Sequence, residues 1–330
     1  MLQSDLVRDV VSGSASDLAR DLARDSVFGP IQVDLNQFRY SKAMMGLSTL
    51  SKTYNKDLVF LRLLAQTQKS LGDFMGLIKT LQVTAQITQT TSDYIELMQI
   101  LSLQGRLNEA LDIALMLQEK TLLPHEDRQL AHCLVKIYLE FGDFEGIQEV
   151  LGACDYVAED GLLLWAMGLV FLNLGDKYEA FNFFKKAVLI DHTNEQAWIS
   201  LSRLHEEGGN DSLAKASLEK VFDLNSNNMA AFGMASNSAF SMALKLMVYL
   251  ILKCPHRDVE EINKVLEQLR KYLSQFEFDV EISLCYTQLL VEIKDMASAR
   301  LEIEKLILYD PTNNSYLKMK KNFEAGMKIF

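Results

Sequence analysis

The reactive and ligating side chains of this 330-residue chain are few and scattered. Its histidines are His125, His132, His192, His205 and His256. No two stand three or four residues apart, the spacing that lets a helix turn two imidazoles toward one zinc ion. Cys133, Cys154, Cys254 and Cys285 include no Cys-x-x-Cys pair, so they read as buried, reduced thiols rather than disulfides or metal ligands. Adjacent carboxylates occur at Glu206-Glu207 and Glu260-Glu261, where a solvated helix face accounts for them. The Gly-x-x-x-x-Gly-Lys-Ser/Thr, Gly-x-Gly-x-x-Gly and Gly-x-Ser-x-Gly motifs do not occur. The expectation is a chain with no catalytic residue, no cofactor and no metal.

What is left is recognition, and glycine marks out the elements that must present it. Gly72, Gly105, Gly142, Gly175 and Gly209 recur at steps of 33, 37, 33 and 34 residues. Each divides two stretches with apolar residues at helical spacing, and a period of this size belongs to a solenoid of paired helices. The clearest unit runs from Gly161 to about Asn194. Leu164, Met167, Gly168 and Phe171 share one face of a first helix, Gly175-Asp176 breaks it, and Ala180, Phe184 and Ala187 line a second. Gly168 and Ala180 let the two helices approach, with Phe171 and Phe184 filling the space beside them.

The spacing repeats over 195–228 through Trp198, Leu201, Ser202 and His205, then Ala214, Leu218 and Val221. His205 falls on this stripe and reads as a packed core residue. Over 280–313 it returns through Tyr286, Leu290, Ala299, Ile303 and Leu306, with Lys294-Asp295 in place of the glycine corner. Looser copies cover 58–91, 91–124 and 128–156, and a half-unit at Ala43, Leu47 and Leu50 begins the stack. Extra residues around Leu122-Leu123-Pro124-His125 account for the 37-residue step as a longer loop.

These units resemble the tetratricopeptide repeat, whose pattern is Trp-x-x-Leu-Gly-x-x-Tyr, then Ala-x-x-x-Phe, then Ala and Pro. His192 stands where that family usually has proline. The resemblance implies an all-α fold, a right-handed superhelix of about seven stacked helical hairpins closed by a capping helix. It also implies a non-catalytic scaffold or adaptor that holds a partner in a concave groove lined by the first helices.

Four segments follow. Residues 1–30 read as a flexible tail, with Asp17-Leu18-Ala19-Arg20 echoed at Asp21-Leu22-Ala23-Arg24; Leu18 and Leu22 offer a self-ligand for the groove as the alternative. Residues 31–228 form the main array. Residues 229–279 break the period as an irregular segment of long helices, divided at Cys254-Pro255, and 280–330 hold the last repeat and a capping helix over 315–330. A net charge of −11 argues against nucleic acid, whose phosphates need clustered Lys and Arg. The most apolar stretch, Ala239 to Leu252, is too short to span a bilayer, and the start lacks the basic and apolar regions of a signal peptide. The expected place is the cytoplasm.

Helical spacing puts the residues beside each first helix's core stripe in the groove. They are Arg62, Gln66 and Lys69; Ile95 and Gln99; His132 and Lys136; Leu162, Trp165, Leu169 and Leu172; and Ile199 and Arg203. Leu164 fills the core position, so Trp165 points into the groove, with Leu169 one turn on to complete a binding hot spot. A frame shifted by one residue would exchange the two. The expected partner is a protein or peptide, such as a small Ras-like GTPase in a bacterial signalling, polarity or motility system. The alternatives are a chaperone for secreted or assembly subunits and an oligomerising module of a larger complex.

Overall fold

The structure is a computed structural model that describes residues 26–119, 122–228, 234–276 and 279–326. The Asp-Leu-Ala-Arg echo at 17–24, with Leu18 and Leu22, lies outside the described residues, as does the end of the expected capping helix. Among the described residues every regular element is helical.

Each corner is one stop and one start. At Gly175 the backbone turns to φ 83°, left-handed territory that glycine enters without a steric penalty. The Asp176 N–H closes back on the Phe171 carbonyl at 2.9 Å, satisfying a carbonyl the helix end leaves open. Asp176 then caps the next helix, its carboxylate accepting from the Glu179 N–H at 3.0 Å. Asp73, Asp143 and Asp295 cap in the same way, accepting from Gly76, Gly146 and Ser298. Lys294 holds the corner geometry without being glycine, at φ 64°. We expect Lys294→Gly to raise the stability of this hairpin by about 1 kcal/mol, since an L-residue is strained there. A urea midpoint at or below that of the wild type would refute this.

The chain divides into two compact units, Met1–Gly146 and Ile147–Phe330. In the first, α1 covers 26–36, followed by α2 (Tyr40–Tyr54), α3 (Leu58–Leu71), α4 (Phe74–Thr88), α5 (Thr91–Leu103), α6 (Leu107–Gln118) and α7 (Pro124–Phe141). The half-unit expected at Ala43 and Leu47 is a whole hairpin. Phe28, Ile31 and Leu35 of α1 close over those residues and over Phe60 and Leu61 of α3. The helices α3–α4 and α5–α6 pair as hairpins, α4 packs on α5, and α5 packs on α7.

Helix α8 (Phe144–Ala153) crosses the division. After it, a short turn (Val157–Glu159) leads to the hairpins α9 (Gly161–Asn173) with α10 (Lys177–Ile190) and α11 (Glu195–Glu207) with α12 (Asp211–Asn228). Next come α13 (Met234–Lys253) with α14 (Val259–Gln275), α15 (Val280–Glu292) with α16 (Met296–Tyr309), and α17 (Asn314–Glu324).

Every second helix here packs on the next first helix, and α11, α13 and α15 touch in succession. The helices of the 229–279 stretch are long, 20 residues in α13 and 17 in α14. Yet α13 keeps a first helix's neighbours, packing on α11, α12, α14 and α15. The stack therefore runs through this stretch. One core joins Leu218 and Val221 to Phe240, Leu244, Leu269 and Leu290. The close approach foreseen at Gly168 is real, with Phe184 beneath it, while Phe171 stacks instead on Phe183 at 5.2 Å between centroids.

Candidate functional site

The first helices set the stage for any ligand, because each contributes one face that neither its own hairpin nor the preceding one covers. In the first unit Arg62, Gln66 and Lys69 stand exposed on α3, Gln99 on α5 and Lys136 on α7, while His132 is half-buried. The structure brings several of these side chains to the neighbouring first helix. Lys69 reaches Glu96 of α5 at 3.8 Å. Gln99 hydrogen-bonds to Cys133 of α7, and Lys136 adds a positive charge beside that thiol. Burial is the larger influence on Cys133 and pushes its pKa up, which keeps the sulfur protonated.

In the second unit α9 is apolar on every side. Leu163, Leu164, Ala166 and Val170 are buried, and Leu162, Trp165, Leu169 and Leu172 remain half-buried. Leu164 occupies the core at 3% exposure, so the one-residue frame shift does not occur. Trp165 lies toward the next first helix, where its indole N–H donates to Ser200 Oγ at 3.0 Å. Arg203 continues the pattern one hairpin on, exposed and with its guanidinium 3.1 Å from Met242 Sδ of α13. Lys245 of α13 then pairs with Glu281 of α15 at 2.5 Å. Within each unit, several positions predicted to meet a partner thus also tie one first helix to the next.

Two of the expected groove residues are not on the surface at all. Ile95 and Ile199 are each 2% exposed. A first helix inside a stack is covered by its own second helix, by the preceding second helix and by both neighbouring first helices, so its buried arc is wider than one stripe. Sequence reasoning also missed Ser200, Met242, Lys245 and Glu281, whose partners lie some 35–39 residues away. The only signal was the repeat period itself, since one repeat is the distance between successive first helices.

Other reactive groups sit in packed surroundings. Burial raises the Cys285 thiol to about 11, and all four cysteines are free. His205 packs edge-on against Phe181 at 5.3 Å, and burial lowers its pKa. Among the described residues no three His, Cys, Asp or Glu side chains gather as metal ligands, and no helix is long and apolar enough to cross a membrane.

Helical hairpins stacked so that successive first helices share an accessible face define a class of repeat proteins that bind other proteins. The tetratricopeptide-repeat model matches residues 163–194 and 195–228, which are the α9–α10 and α11–α12 hairpins. Those two hairpins, 66 of the 330 residues, match the tetratricopeptide repeat. No curated protein matches the sequence. Among solved structures it is similar to a chain of the APC/C hetero-tetramer Cut9–Hcn1, at 15% identity and a TM-score of 0.49 over 76% of this chain. It spans 46% of that chain's length. A tetratricopeptide repeat protein from Parabacteroides merdae shares 15% identity, with 81% of this chain and 98% of that one covered and a TM-score of 0.45. The C-terminal part of a repeat protein from Cytophaga hutchinsonii shares 13%, over 88% and 98%, with a TM-score of 0.44. None of these likenesses bears on what this chain binds.

Proposed function

We propose that the chain is a non-catalytic adaptor that holds a segment of a partner protein against the face of its first helices, with α9 as the anchor. The observation that carries this reading is the composition of α9. Leu163, Leu164, Ala166 and Val170 are used by the core, while Leu162, Trp165, Leu169 and Leu172 extend the apolar surface beside it and stay partly accessible. An aromatic and aliphatic strip of this kind, fixed on a rigid helix, offers burial at little ordering cost. Arg203 on the same side supplies a charge to set register. The exposed Arg62 and Lys136 give the first unit's face a basic character that suits a carboxylate-bearing partner. Nothing in these residues selects a small Ras-like GTPase over other protein partners.

The test is capture of the partner by the wild-type chain, followed by affinity measurements with purified variants. Trp165→Ala and Leu169→Ala should each weaken binding, the former by about 2 kcal/mol or roughly thirtyfold. Ser200→Ala removes only the acceptor of the indole hydrogen bond and serves as the control for positioning, with a loss under about 1.5 kcal/mol. Equal affinity for the wild type and both α9 variants would reject this reading.

A further inference from the structure

Arg203 stands on the first-helix face of α11 with no carboxylate partner among the described residues. It is exposed, and its guanidinium meets only the Met242 thioether of α13, a weak acceptor, at 3.1 Å. The chain has 44 aspartates and glutamates, yet α9 has no charged residue and α13 has no acidic one. The three carboxylates of α11 itself are engaged elsewhere. Glu195 accepts from the Asn225 amide at 3.1 Å, and Glu207 pairs with Lys177 at 2.8 Å. Glu206 accepts from the Tyr249 hydroxyl at 3.3 Å and pairs at 2.7 Å with Lys253, which it shares with Asp211. Beyond α13, Glu281 of α15 is paired with Lys245.

We infer that the face of α9, α11 and α13 takes a linear segment of a partner protein in which one aspartate or glutamate stands between bulky apolar residues, with Arg203 reading the acid. The inference rests on α9 as the anchor and adds what the next two first helices select. Apolar surface flanks the guanidinium on both sides. Trp165 of α9 donates to Ser200, which lies one turn before Arg203 on α11, and Leu169 follows Trp165 by one turn. On the other side Met242 and Leu246, one turn apart on α13, are half-buried. A guanidinium is weakly hydrated and planar, so between apolar walls it grips a carboxylate through two parallel hydrogen bonds. The charge suits a carboxylate rather than a phosphate, because Glu281 already neutralises Lys245 and leaves one cation to face the ligand. Helices that pack as α11 and α13 do stand about 8–10 Å apart, which extended chain covers in about three residues. The acid and the apolar residue over Met242 are then about three positions apart.

The experiment is selection from a random-peptide display library on the full chain, followed by affinity measurements of the enriched peptides on variants. Enriched sequences should carry an aspartate or glutamate with bulky apolar neighbours at that spacing. A chain of net charge −11 repels acidic peptides at large, so an acidic preference reports a local cation rather than the overall field. Arg203→Ala, a change at an exposed position, should weaken these peptides by about tenfold or more while leaving the circular dichroism unchanged. Arg203→Glu should weaken them further, and should recover binding when the peptide's acid is replaced by lysine. If no peptide is enriched, or the enriched ones bind Trp165→Ala as tightly as the wild type, the anchor reading falls and this inference with it. Peptides that need Trp165 but show no acidic preference, or that Arg203→Glu binds undiminished, overturn this inference alone. A lysine peptide that the Arg203→Glu chain fails to recover does the same.

Discussion

Gly168→Ala lowers the stability of the α9–α10 hairpin, although alanine is the better helix former. This is the expected result, and its sign is what makes it informative. In a helix interior a glycine-to-alanine change ordinarily gains about 0.5–1 kcal/mol. Here a Cβ on residue 168 would lie 2.5 Å from Phe184 Cε1 and 2.6 Å from Cδ1. The ring cannot swing aside, because Phe184 is fully buried among Leu164, Ala180, Ala187, Val188 and Leu201. The helices must therefore part, and Gly168→Leu should cost about 3 kcal/mol or more. Gly152→Ala, where nothing lies within 4 Å, is the control and should be neutral or slightly favourable. The chain's two tryptophans, Trp165 and Trp198, both pack against this cluster, so fluorescence in a urea titration reports it directly. A Gly168→Leu variant as stable as the wild type would remove the close-packing account of this hairpin.

Phe184→Ala is the second large effect. The side chain is among the biggest in the core with no accessible surface, and truncating it leaves a cavity that stacked neighbours on both sides prevent from collapsing. The expected cost is about 3–5 kcal/mol. The same two positions provide a sharper check. In a Phe184→Leu background the ring that opposes a Cβ at 168 is gone, so Gly168→Ala should lose most of its penalty there. The two changes then fail to add, as changes at touching residues do. Strict additivity would mean that residue 168 is constrained by something other than the ring.

The glycine corners explain why so much of the fold was legible. A left-handed glycine followed by a capping aspartate writes the end of one helix and the start of the next into two adjacent residues, as at Gly175-Asp176. The core positions between corners follow from helical geometry, and Leu164, Ala180, Ala214, Leu218, Ala299 and Leu306 are all buried as their spacing implies. The first hairpin was read only in half because α1 has no glycine corner; Phe38, at φ 57°, turns the chain in its place. The interval between Met229 and Asp279 was read as irregular because its two long helices and their connections take more residues than one repeat. Its packing nonetheless repeats that of the other hairpins.

Local geometry was enough to establish that this chain builds paired helices, where they begin and end, and which stripe of each is apolar. All of that depends on interactions within a few residues. The sequence could not say which first-helix residues remain accessible, because that depends on contacts made one repeat away. Ile95 and Ile199 passed from expected surface to core, Trp165 gained Ser200, and Arg203 gained Met242, each through the approach of a neighbouring helix. Stacking distance decides those contacts, and stacking distance is a property of the packed array rather than of any one helix.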